Sequence, residues 1–255
     1  MTAVFLILFL AGCFLLGYMY YRAHNDQLEE QVLESPKLDR GESLHIFFIS
    51  DVHNREIATS TLRKLKQVDV VIIGGDLVDK RTSMERLEKN LKRLTQWSVP
   101  VYFIPGNNDH ELQSKDLVNV LNQYQVRTLS NEDEKVKLDH GIEFVLTGLD
   151  PYFLKQRRSS SLMEDEGFRI LCVHDPYVFK QMNPANKNRS ELVLSGHTHG
   201  GQIRLFGLGP YERGGWSQYN KQALLISEGY GTSLIPLRLG TKAECHWIQI
   251  LPLES

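Results

Sequence analysis

Short apolar runs recur along the chain, and several stop at an aspartate, an asparagine or a histidine. Leu44-His45-Ile46-Phe47-Phe48-Ile49-Ser50 predicts a buried strand and ends in Asp51-Val52-His53. Val68-Asp69-Val70-Val71-Ile72-Ile73 predicts a second, running into Gly74-Gly75-Asp76, where glycine permits the sharp turn that projects Asp76. A third, Val99 to Ile104, runs into Gly106-Asn107-Asn108-Asp109-His110. Between them, Thr59 to Gln67 predicts a short helix. Thr82 to Trp97 predicts a covering helix with Met84, Leu87, Leu91 and Leu94 on one face and Thr82 with Glu85 as a capping box. Another helix is predicted from Leu112 to about Gln123.

Later the pattern changes. Residues 143–148, 168–173, 191–194, 203–206, 223–227 and 245–251 predict strands, with a polar segment from Leu154 to Glu166. The strand at 168–173 runs into His174-Asp175-Pro176, where a helix start is expected. The one at 191–194 runs into Ser195-Gly196-His197-Thr198-His199-Gly200-Gly201-Gln202. Alternating β and α, followed by mostly β, predicts an α/β fold with two sheets face to face and helices outside.

The N-terminus differs. Ala3 to Tyr21 carries no charge and approaches the ~20 residues that cross a bilayer. Tyr18, Tyr20, Tyr21 and Arg22 resemble an interfacial belt. No basic n-region precedes the run, which argues against a cleaved signal peptide. Leu10-Ala11-Gly12-Cys13 looks like a lipoprotein cleavage box, but Phe14-Leu15-Leu16 continues the apolar run beyond it. The expected organisation is a transmembrane anchor over 1–22, a polar linker over 23–43 and one domain over 44–255. Leu28, Val32 and Leu33 have roughly helical spacing, which would let the anchor helix continue a little way. The expected location is the cell membrane, single-pass. Arg22, Lys37 and Arg40 follow the span and no Lys or Arg precedes it, which leans toward a cytoplasmic domain.

Composition excludes some classes. A net charge of −2 gives no overall pull toward nucleic acid, so no extended nucleic-acid binding is expected. Cys13, Cys172 and Cys245 are too scattered for a disulfide framework or zinc knuckle. What remains is a set of strand ends offering Asp51 and His53, Asp76, Asn107, His174, and His197 and His199. In α/β folds, sites form beyond the carboxyl ends of strands. Seven hard or borderline donors suffice for two divalent metals, which can clamp a phosphoryl group.

This ordered set resembles the calcineurin-like metallophosphoesterase superfamily: D-x-H at 51–53, G-D at 75–76, G-N at 106–107, His174, and G-H-x-H at 196–199. The resemblance covers roughly residues 44–251. The His-Thr-His-Gly-Gly-Gln variant looks like a bacterial membrane-associated subgroup. It implies a four-layer αββα sandwich behind one transmembrane helix. It further implies that Asp51, His53 and His199 bind one metal, that Asn107, His174 and His197 bind the other, and that Asp76 bridges. The mixed donors suit Mn, Fe or Zn. The implied reaction is attack of a metal-bridging hydroxide on a phosphodiester or pyrophosphate, carried by a small molecule or a lipid.

One position departs from the family. Asn108 stands where the family has a histidine, and an amide cannot deliver a proton at pH 7. His110 or water would have to replace that acid, and leaving groups needing little protonation would suffer least. Asn108 and His110 are therefore the candidate catalytic residues. Asp79 and Asp109 are expected to cap helices or orient neighbours, and His24, His45, His140 and His246 to be ordinary. Tyr152, Phe153, Tyr211, Arg213 and Trp216 lie in loops that either line a pocket or simply pack. The alternative function is a non-catalytic metal-binding or protein-binding scaffold. A nuclease of the same superfamily is a third reading, disfavoured by the charge.

Overall fold

The apolar runs become the middles of two six-stranded sheets. The computed structural model describes residues 1–112, 116–150 and 167–253. One sheet holds β1 (Asp26–Ser35), β2 (Leu44–Ile49), β3 (Val70–Ile73), β4 (Val101–Phe103), β5 (Val126–Thr128) and β12 (Ala243–Pro252), in the order β1-β12-β2-β3-β4-β5. The other holds β6 (Glu132–Lys137), β7 (Glu143–Leu149), β8 (Phe168–Val173), β9 (Leu192–Ser195), β10 (Gly215–Tyr219) and β11 (Gln222–Ile226), in the order β10-β11-β9-β8-β7-β6.

Strands β2 to β5 run parallel, as do β7, β8, β9 and β11. Each parallel set therefore brings its carboxyl ends to one edge. Alternation along a strand sends neighbours to opposite faces. Leu44, Ile46 and Phe48 meet Ile170, Cys172 and Leu194 between the sheets. Phe47, Ile49, Val71 and Ile73 face outward. There they are covered by α2 (Thr59–Leu62), α3 (Met84–Leu94) and α4 (Leu117–Gln123). On the far side, Leu171 and Val173 lie under Phe179 of α5 (Pro176–Gln181), which precedes the short α6 (Pro184–Lys187). The layering is α, β, β, α, as the sequence predicts. The expected helix start at Asp175-Pro176 is present, with the Asp175 carboxylate accepting from Tyr177 N.

Ahead of the sandwich stands α1 (Thr2–His24), whose apolar window has a mean hydropathy of 2.3, long and apolar enough to cross a membrane. Only Met19 and Ala23 are buried in it. Its last turns dock on the sandwich: Met19 O accepts from Arg238 N at 3.0 Å, Arg22 donates to Thr241 O at 3.0 Å, and Ala23 O accepts from Arg55 at 2.6 Å.

Several expectations need correction. The polar linker over 23–43 contains β1, which pairs in parallel with β12 from Asp26↔Ala243 to Ser35↔Pro252. Leu28 packs on the helix-side cluster and Leu33 on the inter-sheet cluster, one per face, as a strand and not a helix requires. Asp26 ties this strand inward through Arg55, Thr61 and Tyr230. Helix α3 begins at Met84 with Ser83 as its cap, accepting from Arg86 N. Thr82 instead donates to His53 O, so the capping box does not form. Residues 203–206 make no strand; they contribute single bridges, Ile203 with Leu239 and Leu205 with Leu208. The expected polar segment at 154–166, with Tyr152 and Phe153, lies outside the described residues.

Candidate metal centre

All seven candidate ligands lie just past the carboxyl end of a strand: β2, β3, β4, β8 or β9. Five of them hold left-handed backbone: Asp51 (φ 54°), His53 (51°), Asp76 (51°), His197 (72°) and His199 (49°). For a side chain with a Cβ this costs energy, and such residues cluster at functional sites. Here the left-handed turn swings each side chain back into the cleft between the two sheets. Close approach requires glycine beside them. A methyl group on Gly75, itself at φ 87°, would stand 2.5 Å from His174 Nδ1, and one on Gly196 would collide with the Asp51 carboxylate.

The side chains converge in two groups. Asp51, His53 and His199 form one and Asp76, His174 and His197 the other, with donor atoms in each within 4.8 Å of one another. In the first, the Nε2 atoms of His53 and His199 face each other at 3.1 Å, and His199 Nε2 lies 3.4 Å from Asp51 Oδ1. In the second, His174 Nε2 lies 3.3 Å from Asp76 Oδ2, and His197 Nδ1 lies 2.7 Å from Asn107 Oδ1. Asp76 faces both groups, because its Oδ2 is also 3.8 Å from His53 Nε2.

Electrostatics match a cation site. His174 is buried without exposure, and its Nε2 has no hydrogen-bond partner among the described residues. Burial alone would lower its pKa, but the Asp76 and Asp51 carboxylates override this and raise it to about 10. A buried imidazole held protonated by two carboxylates marks strong negative potential, and a divalent ion satisfies the same groups without that proton. Burial opposes the charge of Asp76, yet His174 and His53 hold its pKa down at about 2. His199 is lowered well below the ordinary value by burial, then by His53 and Arg238, which leaves it neutral for metal binding. Burial and the charge of His174 lower His197 as well. The donor set therefore fits two divalent ions.

A second layer fixes these ligands. Asp109 accepts from Asp76 N at 2.8 Å, Gly106 N at 2.7 Å and Val78 N at 3.2 Å, tying two ligand loops together. Asp79 Oδ2 lies 3.5 Å from His53 Nδ1 and pairs with Arg81. Gly74 O lies 2.8 Å from His174 Nδ1, which orients that ring. These are the orienting roles expected of Asp79 and Asp109. Arg238 adds a partner that no sequence motif marks: fully buried, it donates to the carbonyls of Glu228, Gly229 and Gly231 and reaches to 3.3 Å from His199 Nδ1. Its only signal in the sequence is a lone cation between Leu237 and Leu239.

The ligands open into a cavity of about 450 Å³ lined by Asp76, Asn107, Asn108, His197, Tyr211 and Leu234 among others. Tyr211 thus lines the metal cavity, whereas Arg213, which pairs with Glu228, and Trp216, which packs against the inter-sheet core, line a separate cavity with Glu244 and His246. Asn108 N donates to Asp76 Oδ1 at 2.7 Å; its amide accepts from Asn107 Nδ2 and donates to Glu111. Those bonds tie Asn108 to Asp76, Asn107 and Glu111 at the cavity wall. His110 is exposed on the 3₁₀ turn Asp109–Glu111 and does not line the cavity.

The chain belongs to the calcineurin-like phosphoesterase family, whose model matches residues 44–201. It is 34% identical to the uncharacterized protein YpbG of Bacillus subtilis (strain 168), over 96% of this chain and 95% of that one. It is 27% identical to the uncharacterized metallophosphoesterase YkoQ of the same organism, over 81% of this chain and 83% of that one. A transmembrane protein with metallophosphoesterase domain from Danio rerio is 28% identical, over 79% of this chain and 52% of its own length. Among solved structures, a 5'-nucleotidase precursor from Thermus thermophilus shares the fold with a TM-score of 0.50 at 11% identity, over 82% of this chain and 54% of that one.

Proposed function

We propose that the protein is a membrane-anchored phosphoesterase that uses two divalent metals to hydrolyse a phosphodiester or pyrophosphate. The observation that carries this reading is Asp76, one carboxylate facing both ligand groups at 3.3 and 3.8 Å. Asp51, His53 and His199 would hold one ion and Asn107, His174 and His197 the other, with Asp76 shared. Mn, Fe or Zn suits the mixed nitrogen and oxygen donors. When bound, two such ions supply Lewis acidity toward a phosphoryl oxygen and activate water.

The chain's own residues do the rest. Asp79 and the Gly74 carbonyl hold the rings of His53 and His174 in orientation. Asn108 holds Asp76 and Asn107, and its amide is not an acid that could protonate a leaving group at pH 7. His110 stands outside the cavity, so the leaving group takes its proton from solvent. Esters with good leaving groups, such as aryl diesters and pyrophosphates, are then favoured over alkyl monoesters. The apolar length of α1 supports a single-pass anchor, and the basic residues after it favour a cytoplasmic domain. A C-terminal reporter active only outside the cytoplasm would reverse that side.

The full chain in detergent is assayed on bis-(p-nitrophenyl) phosphate and p-nitrophenyl phosphate with and without Mn²⁺. Metal-dependent turnover of the diester is expected, falling at least ~100-fold in Asp76→Asn, beyond the ~10–100-fold typical of an outer partner. No turnover with Mn²⁺, Fe²⁺ or Zn²⁺, despite two bound ions, would instead indicate the non-catalytic scaffold.

A further inference from the structure

Backbone strain reappears at a second surface, beside the metal centre. Leu205, Phe206 and Leu208 in one loop and Leu234 and Ile235 in another are all exposed. Phe206 is fully exposed and Leu234 is 82% exposed, yet both hold left-handed backbone, at φ 51° and 56°. That conformation is a genuine outlier for bulky side chains. Polar contacts hold both loop backbones. Arg204 donates to the carbonyls of Gly200, Gly207 and Tyr211. Arg81 donates to those of Thr232 and Leu234. Gln202, the last residue of the His-Thr-His-Gly-Gly-Gln run, brackets Ser233 and Ile235. Leu205 and Leu208 pair backbone to backbone across Phe206 and Gly207, a tight turn that holds Phe206 outward; large apolar groups so exposed are unfavourable in water and favourable against an apolar phase.

The end of α1 lies against the second of these loops, which the backbone bond from Arg204 N to Leu239 O joins to the first. Arg238, three residues after Ile235, donates its N–H to Met19 O at 3.0 Å. Ala23 and His24 share one cleft with Thr232 and Pro236. Tyr18, Tyr20 and Tyr21 are exposed around that junction, and such tyrosines sit at headgroup level. The loops therefore emerge where the apolar span ends. Leu234 and Ile235 also line the metal cavity, joining its wall to the exposed patch.

We propose that the loops spanning 205–211 and 232–236 enter the bilayer surface beside α1, so that the metal cavity takes the phosphoester of a membrane lipid. This rests on the phosphoesterase reading above. Water adds to phosphorus and the bond to the leaving oxygen breaks. That oxygen keeps the electron pair, and the water's proton passes to solvent.

The test uses the full chain in nanodiscs of phosphatidylcholine and phosphatidylglycerol at three to one, in a Cys13→Ser background. Spin labels at Phe206→Cys and Leu234→Cys are compared with one at Lys92→Cys, near the end of α3 that leads back to the start of β4. Labels at 206 and 234 should collide more with oxygen and less with aqueous nickel chelate than the label at 92. Equal aqueous accessibility at all three sites would overturn the docking. Turnover is then read on phosphatidyl-p-nitrophenol in the disc and on soluble bis-(p-nitrophenyl) phosphate, which share one leaving group. Phe206→Glu with Leu208→Glu should lower lipid turnover about tenfold or more by opposing insertion, and leave soluble turnover unchanged. Equal turnover of the lipid by variant and parent would overturn the lipid assignment. If the parent turns over neither ester, the phosphoesterase reading and the lipid assignment fail together, while the labels still decide the docking.

Discussion

Asp109 offers the sharpest test of how the site is held. Its carboxylate sits nearly dry and accepts from three backbone N–H groups, two on Oδ2 and one on Oδ1. Asp109→Ala leaves all three without a partner. At about 1–3 kcal/mol per unsatisfied buried group, and with water entering part of the space, the loss is about 3–5 kcal/mol. Asp109→Asn can keep its oxygen on Asp76 N and Gly106 N but turns an amide toward Val78 N, losing one bond, or about 1–3 kcal/mol. With roughly 2–4 °C per kcal/mol in a chain of this size, Tm should fall by roughly 2–12 °C in Asn and roughly 6–20 °C in Ala. Burial, then the charge of Asp76, raises the Asp109 pKa to about 8 from an ordinary 3.8. A carboxyl whose pKa is higher folded than unfolded disfavours folding as it ionises. Metal-free protein should therefore lose stability as pH rises from about 4 to 8; Asp109→Asn should flatten the part between about 4 and 6.5, while the raised His174 keeps a slope of the same sign above about 6.5. Thermal melts of metal-free protein at several pH values measure both effects. Equal melting of parent, Asn and Ala would refute the idea that Asp109 fastens the two ligand loops.

Three further outcomes follow from the same geometry. Because His174 carries a pKa of about 10 without metal, ion binding at pH 8 should release about one proton from it, and affinity should fall about tenfold per pH unit below that; calorimetry in buffers of different ionisation enthalpy counts the protons. His110→Ala should leave diester turnover unchanged, since the side chain lies outside the cavity, while Asn108→His should raise alkyl phosphomonoester turnover relative to diester; steady-state kinetics on both esters decides. A chain begun at Asn25 should fold, whereas one begun at Pro36 loses β1 and the Asp26 contacts and should aggregate, with oligomeric state read by size exclusion.

What the sequence disclosed divides along the sheets. The eight inner strands, β2, β3, β4 and β12 in one sheet and β7, β8, β9 and β11 in the other, all follow apolar runs read directly from the residues. All four edge strands were missed. Asp26–Ser35 and Glu132–Lys137 are rich in acidic and amide residues, and Gly215–Tyr219 and Val126–Thr128 are short. An edge strand has one partner and faces water, so it need not be apolar, and its charges discourage pairing with other chains. The opposite error at Ile203–Phe206 has a matching cause: Ile203 lines the cavity, and Leu205 and Phe206 belong to the exposed surface beside it. The metal-site candidates were legible because each follows a buried strand. Arg238 and Gln202 were not, because their partners are backbone carbonyls and amides far along the chain.

The central claim is two metals sharing Asp76. Its most direct measurement is the metal content and electron paramagnetic resonance spectrum of the full chain loaded with Mn²⁺. Two ions per chain with an exchange-coupled spectrum, as expected for metals ~3.5–4 Å apart, are predicted, with His197→Ala reducing the spectrum to that of one isolated ion. A single ion per chain in the parent, or two uncoupled ions, would contradict the account.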